Sequence, residues 1–305
     1  MKVLTIVVLY NGSKWIRTCF SSLFRSTIND HHIIAIDNAS TDNSVEIIRS
    51  EFPDVELIKL SNNIGFGRAN NIGLQKAHDI EADYVFLLNQ DAWVENKTIE
   101  NLINIQQLNN EFGIISPLHF NTSDLLDENF LNYLLESTSI RSIMSDLCQN
   151  SLNDIYSIHF VNAAIWLISK DCYDKVGLFD NLFFHYGEDR NYSQRAIYHG
   201  FKIGVAISEK GWHDRKSFRS KSISPIKYKY LSHAFMLVTL GDVNSKNLFI
   251  SYIKFIKNRL KNIANNLFSL NLKYLLIDLK TIIYALIIIR KVNFSKSINR
   301  KPYIE

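Results

Sequence analysis

Hydrophobic and polar positions follow two rhythms over the first half of the chain. Val3 to Tyr10 is a near-continuous apolar run rich in β-branched residues, and it predicts a central strand. Asn11-Gly12-Ser13 makes the turn, and the amphipathic stretch from Trp15 to Ser26 predicts a helix. Ile33 to Asp37, Val55 to Leu60 and Tyr84 to Leu88 predict three further strands. Helices stand between them, one opened by the capping residues of Asn38-Ala39-Ser40-Thr41-Asp42, the other running from the loop Ser61 to Gly67 through Ala77. This β-α-β-α-β-α-β succession predicts parallel strands joined by right-handed crossovers, and so an α/β fold.

The second half is less regular. Ile114 to Pro117 predicts a short strand, and from Asn121 to about Ile155 the pattern loosens into what reads as an insertion near the site. Ile158 to Ile168 predicts one strand, with Ser169 capping a helix to Val176 that Gly177 closes. Glu188 to His199 predicts a helix ended by Gly200, and Phe201 to Ile207 a last strand. Beyond about Tyr228 the chain turns helical and markedly apolar. Its most apolar stretch, Tyr274 to Ile289, is interrupted by Asp278 and Lys280, which leaves nine uninterrupted residues from Thr281. Spanning a bilayer takes roughly 20. These patterns predict a main domain over residues 1–225, with halves meeting at about 118–119, and a helical appendage over 226–305.

Composition sharpens this picture. A chain of 305 residues that is 47% apolar can bury one large core, or one core plus a smaller appendage. Cys19, Cys148 and Cys172 show no paired ligand spacing, which excludes a disulfide framework and a zinc site and suits a reducing, cytoplasmic setting. Met1-Lys2 leads straight into a strand, unlike a signal peptide. From Lys246 onward twelve Lys and Arg stand against Asp278 and Glu305, a net of +10; with the whole chain at +4, the first 245 residues carry −6. That tail reads either as helices attracted to anionic lipid or as a subdomain packing on the main domain or on a second copy of the chain. No nucleic-acid-binding module accompanies the basic residues.

The candidate chemistry sits where strands end in acid. Tyr84-Val85-Phe86-Leu87-Leu88 is followed by Asn89-Gln90-Asp91, and the carboxyl ends of such strands are where open α/β sheets bind ligands. Asp91 suits a hard divalent cation, Mg²⁺ or Mn²⁺, or else a helix cap; Asn89 suits a ribose or an outer-shell water. Asp37 ends its strand as an acceptor for a nucleobase or as a turn residue, and Tyr10 as a base-stacking ring or a core-edge aromatic. The loop up to Gly67 and Arg68 offers amides and a guanidinium to phosphate, without matching a P-loop or a dinucleotide fingerprint. Glu188-Asp189 opens a helix, where a carboxylate takes a proton from a hydroxyl or simply complements the helix terminus. His213 is a metal ligand or a structural histidine.

Taken together, Ile6 to Asn11, Ile36-Asp37-Asn38-Ala39-Ser40-Thr41-Asp42, Asn62 to Asn70, Leu87 to Asp91, Val176 to Asp180 and Tyr186-Gly187-Glu188-Asp189 resemble the family 2 glycosyltransferases, in particular their bacterial rhamnosyltransferase-like branch. The resemblance implies a GT-A fold, a Rossmann-like, mostly parallel sheet flanked by helices, with the C-terminal helices appended. It implies an inverting enzyme that moves a sugar from a nucleotide diphosphate sugar to a glycan or lipid-linked glycan of the bacterial surface, working on the cytoplasmic face of the inner membrane. Tyr10, Asp37, Asn38, Gly67, Arg68 and Asn89 would bind the nucleotide sugar, Asp91 and His213 the metal, and Asp189 would be the base with Glu188 beside it. Three positions depart from the family pattern: Asn89 stands where many members have Asp, Asn191 replaces the last acid of Glu-Asp-x-Asp, and Asn162-Ala163 occupies a segment where glycine is common. The other readings are a sugar nucleotidyltransferase, for which Tyr10 to Lys14 is a poor match, and a non-catalytic nucleotide-sugar-binding scaffold, motivated by Asn191.

Overall fold

A computed structural model describes residues 1–214 and 223–304. The final residues of the expected main domain, 215–222, and residue 305 lie outside them. The first half alternates as the pattern predicts: β1 (Lys2–Leu9), α1 (Ser13–Phe24), β2 (Asp30–Asp37), α2 (Ser44–Glu51), β3 (Glu56–Lys59), α3 (Phe66–Asp79) and β4 (Tyr84–Leu88). These strands lie in the order β3-β2-β1-β4 and all three pairings are parallel. The apolar runs are continuous because helices cover both faces of the sheet. In β1, Leu4, Ile6 and Val8 join one core cluster while Val3, Val7 and Leu9 join the other; in β4, Val85 and Leu87 oppose Phe86 and Leu88.

Next come β5 (Ala92–Val94), α4 (Thr98–Leu108), β6 (Phe112–Phe120), α5 (Glu128–Leu135) and α6 (Ile140–Cys148). The loosely patterned insertion thus holds two helices. Asp127 caps α5 by accepting the N–H groups of Asn129 and Phe130; α6 spaces Ile140, Ile143, Met144 and Leu147 along one face yet buries none of them fully. The single strand expected over Ile158 to Ile168 is two: β7 (Ile155–Ile158) pairs with β9, whereas β8 (Ile165–Ser169) lies antiparallel between β4 and β6. Residues 159–164 carry the chain from beside β9 to a place between β4 and β6, and only His159 and Asn162 interrupt the apolar run there. After α7 (Lys170–Val176) and α8 (Glu188–Tyr198), β9 (Lys202–His213) extends six residues past the expected end and carries His213 as its last member.

Three helices complete the chain, α9 (Pro225–Leu240), α10 (Leu248–Phe268) and α11 (Leu272–Ile298), around a separate cluster of Met236, Leu240, Phe255, Ala285 and Val292. Among the described residues no helix is long and apolar enough to cross a membrane. Asp278, fully buried in α11, accepts from Arg259 Nη1 at 2.9 Å, Tyr228 at 2.9 Å and Asn266 at 2.9 Å, so the charge that interrupts the apolar stretch locks the three helices together. Removing one partner of such a pair strands the other charge out of water. Asp278→Ala is therefore expected to lower stability by about 3–5 kcal/mol, and the double variant Arg259→Met/Asp278→Leu to recover much of that loss. Urea titration of the folded chain measures both.

Candidate active site

The carboxyl ends of β1, β2 and β4 lie side by side, and a polar segment follows each. The loops after β1 and β2 are stitched together. Asn11 Oδ1 accepts the Thr41 N–H at 2.8 Å, Ser40 Oγ accepts the Asn11 N–H at 3.0 Å, and Asp42 accepts the Ser13 N–H at 3.0 Å. Asp42 thus serves the first turn of α1 as well as that of α2, where it binds the Ser44 N–H at 3.0 Å. Asp37 is buried and accepts the Ser40 N–H at 3.1 Å. The Asn38 side chain joins Asn63 at 3.0 Å and the Ile64 N–H at 2.8 Å, so it holds the 61–65 loop against the end of β2.

Tyr10 stands clear of the core, 47% exposed. Its backbone is gripped by Gln90, whose Oε1 accepts the Tyr10 N–H at 2.9 Å and whose Nε2 donates to the Tyr10 carbonyl at 3.0 Å. The sequence pattern did not single out Gln90. It was visible between Asn89 and Asp91, but its partner lies eighty positions away. The Asn89 N–H donates to the Ala164 carbonyl at 2.8 Å, while its side-chain oxygen is buried with no donor among the described residues. A buried amide oxygen left without a donor costs about 1–3 kcal/mol, so this atom is one that a ligand hydroxyl would satisfy.

Asp91 and His213 meet. The three-residue β5 pairs antiparallel with the end of β9, setting Ala92 opposite His213, and Asp91 Oδ1 lies 3.3 Å from His213 Nε2. The Asp214 N–H donates to the Asp91 carbonyl at 2.9 Å. The Asp214 carboxylate takes the Trp15 indole N–H at 2.6 Å and the Lys14 ammonium at 3.3 Å, and these two donors, Trp15 first, hold it below the usual carboxylate range. Among the described residues no set of three His, Cys, Asp or Glu side chains is gathered as a metal cage. A carboxylate oxygen beside an imidazole nitrogen nevertheless fits Mg²⁺ or Mn²⁺, which keep several positions for water and phosphate.

A second group forms at the start of α8. Tyr186 (φ 68°) and Gly187 (φ 88°) turn the chain sharply into Glu188. Glu188 is 6% exposed and its Oε2 has no partner among the described residues; burial first, then the neighbouring Asp189 charge, push its carboxyl up to about 8. Asp189 is half-buried and accepts the Arg190 N–H at 2.7 Å. Gly67 packs here: a Cβ on it would stand 3.1 Å from Phe179 Cβ and 3.3 Å from Glu188 Cβ. Gly65 (φ 90°) lets its loop touch the Phe184 carbonyl, which a Cβ would meet at 2.1 Å. Arg68 donates to the Asn181 carbonyl at 2.7 Å and keeps a buried Nε without a partner among the described residues. Asn191 is buried and accepts from Arg195 Nε at 3.1 Å, so this departure from the family pattern is a tether inside the fold.

Comparison with known proteins shows what the chain is similar to. Residues 5–177 match the model of "Glycosyl transferase family 2". The chain is 26% identical over 171 residues to a teichoic acid poly(glycerol phosphate) polymerase of Staphylococcus epidermidis, covering 53% of this chain and 23% of that one. It is 25% identical over 207 residues to the glycosyltransferase GlyG of Streptococcus pneumoniae, covering 65% and 64%. It therefore spans less than two thirds of either relative. The structure of S. aureus TarS 1-349 in complex with UDP-GlcNAc superposes with a TM-score of 0.61 at 15% identity, over 98% of this chain and 90% of that one, and shows the same fold.

Glu188 gives a pH signature. Its pKa rises from 4.5 to about 8 on folding, so between those values the folded chain holds a proton that the unfolded chain releases. Stability contributed at this position then falls as pH rises through that window and levels off above it. Glu188→Gln, which needs no proton, is expected to gain stability over the parent progressively across the window, with no difference near pH 4. Chemical denaturation at a series of pH values checks the slope.

Proposed function

Because the chain belongs to glycosyl transferase family 2, we propose that it transfers a sugar from a nucleotide diphosphate sugar to a hydroxyl of a bacterial surface glycan, with inversion at the anomeric carbon. The observation that carries this reading is the carboxyl edge of the sheet. There an open acceptor, Asn89 Oδ1, stands two residues from a carboxylate in contact with His213. Tyr10 offers its exposed ring to the base, Asp37 lies at the end of the adjacent strand, and Asn89 accepts a ribose hydroxyl. Asn38, Gly67 and Arg68 act from behind, shaping the loop between α3 and the α8 segment. The names of the relatives, a teichoic acid polymerase and a glycosyltransferase, and of the neighbour solved with UDP-GlcNAc support a nucleotide-sugar donor and a cell-surface acceptor.

In the proposed reaction the acceptor hydroxyl oxygen forms a bond to the anomeric carbon as the bond from that carbon to the diphosphate oxygen breaks. The hydroxyl proton passes to Asp189. Glu188, held neutral at pH 7 by burial, adds no second negative charge beside the attacking oxygen. Asp91 and His213 would hold the divalent cation, which when bound offsets charge on the leaving diphosphate. General-base transfer contributes roughly 10²–10⁴-fold, so Asp189→Asn is expected to lower kcat by about that factor with donor affinity retained. Asp91→Ala is expected to lose the thermal stabilisation that a nucleotide sugar and Mn²⁺ give together. Folded variants that both turn over normally would sink the mechanism.

The same reading places the chain on the cytoplasmic face of the inner membrane, through α10 and α11. α10 carries no acid, and the one acid of α11 is the buried Asp278. Phe249, Leu260, Ile283 and Ile287 are exposed among Lys254, Lys257, Lys261 and Lys280, so each helix offers apolar side chains amid unopposed positive charge. Two copies meeting through these faces would oppose like charges, which disfavours the homodimer. Co-sedimentation with vesicles containing phosphatidylglycerol, absent with phosphatidylcholine alone and weakened by Lys254→Glu/Lys257→Glu, is the expected result; a salt-independent dimer without vesicle binding would contradict it.

A further inference from the structure

A cleft of about 600 Å³ opens between the segment joining α7 to α8 and the last turns of α11. Leu178 and Phe179 line it from the first side, Phe294 and Ile298 from the second. Phe294 is 68% exposed and Ile298 52%, so two large apolar side chains stand open to it. Its charged lining is unbalanced: Arg195, Lys291 and Lys301 stand against Asp180 alone. Asp180 is already occupied by Ser295 and by Asn299 Nδ2, the latter at 2.8 Å.

Arg195 is the unusual group. It is 1% exposed, and a guanidinium keeps its charge even when buried. Among the described residues its hydrogen bonds run to neutral oxygens only: Val176 O at 2.9 Å, Leu178 O at 2.7 Å, Asn191 Oδ1 at 3.1 Å and Asn299 Oδ1 at 3.3 Å. The Asp180 carboxylate acts on it only through space; a buried cation without a bonded counter-ion is costly, and a further anion in the adjoining cleft would lower that cost. Lys291 and Lys301, both exposed, supply the mobile part of such a site.

The geometry points to a binding site for an amphiphilic phosphate, with an apolar chain along Phe294, Ile298 and Leu178 and the phosphate between Lys291, Lys301 and the field of Arg195. Three cations against one occupied carboxylate match a phosphate dianion better than a single carboxylate. Such a ligand comes either from the carrier lipid of a glycan acceptor or from the bilayer itself. The acceptor source rests on the transfer reaction proposed above; the site does not.

The test uses the full chain and dodecyl phosphate below its micelle threshold, with inorganic phosphate and dodecyl maltoside as controls, read by titration calorimetry. Dodecyl phosphate is expected to bind and both controls to fail. Lys291→Glu/Lys301→Glu is expected to weaken binding by about tenfold or more, and Phe294→Asp to weaken it independently. Equal binding by parent and both variants, binding of inorganic phosphate alone, or no binding at all overturns the proposal. If the variants lose dodecyl phosphate but still co-sediment with phosphatidylglycerol vesicles, the ligand is the acceptor's lipid; parallel loss of both assigns it to the bilayer. Thermal stabilisation by nucleotide sugar and Mn²⁺ is measured on the same variants, and its retention separates failure of this site from failure of the transfer reaction.

Discussion

A ladder of three residues on each side, Ala92–Val94 against Gly211–His213, decides where the acidic centre stands. β4 ends at Leu88, and without that pairing the chain after Asn89 would be free to run on into α4. With it, Asp91 is fixed between two backbone bonds, the Ala92 N–H to the Asn89 carbonyl and the Asp214 N–H to the Asp91 carbonyl, each 2.9 Å long. The same strand that brings His213 to Asp91 pairs with β6 as far as Trp212 and with β7 along its earlier length. A side chain on a packed strand is held more tightly than one on a loop, and sites of this kind need that precision. Beside this ladder Gln90, between β4 and β5, clasps Tyr10, and Asp214, just past β9, draws in Trp15 and Lys14.

Charge at the site is handled by three different environments. Asp214 is kept ionised by an indole and an ammonium donor, Asp37 is buried with a backbone donor, and Glu188 is buried with one oxygen unsatisfied and so holds its proton. Desolvation and like charge act in the same direction on Glu188, which leaves Asp189 as the half-buried carboxylate of the pair. Two adjacent acids of similar chemistry therefore differ through their burial.

The helical region is more than an attachment. Asp180 binds Ser295 and Asn299, Arg195 binds Asn299, and the backbone of Tyr303 and Ile304 donates to Lys175 and Asp174 at 3.0 Å each. All of these contacts fall on α7, α8 and the segment between them. That segment also carries Phe179 against Gly67 and Asn181 against Arg68, so the end of α11 braces the loop that faces the α3 terminus. Asn191, a departure from the family pattern, belongs to this brace through Arg195.

What the chain determined by itself was local. Near-continuous runs of apolar residues in β1 and β4 marked doubly covered strands, and acids after strand ends marked the carboxyl edge as the candidate site, because both signals come from near neighbours in sequence. The crossing at residues 159–164, the two helices of the insertion and the extension of β9 were illegible, since they follow from pairing with strands far along the chain and from surfaces that bury little. Asp91 and His213 could each be named as candidates, yet nothing local distinguished a ligand from a cap or a structural histidine. Only the fold could bring them within 3.3 Å, and only the fold could reveal that Asn38 and Gly67 shape the loop, that Gln90 grips Tyr10 and that Asn191 tethers a buried arginine. Burial and cross-strand register are properties of the assembled molecule, and they decided which of these side chains stand together.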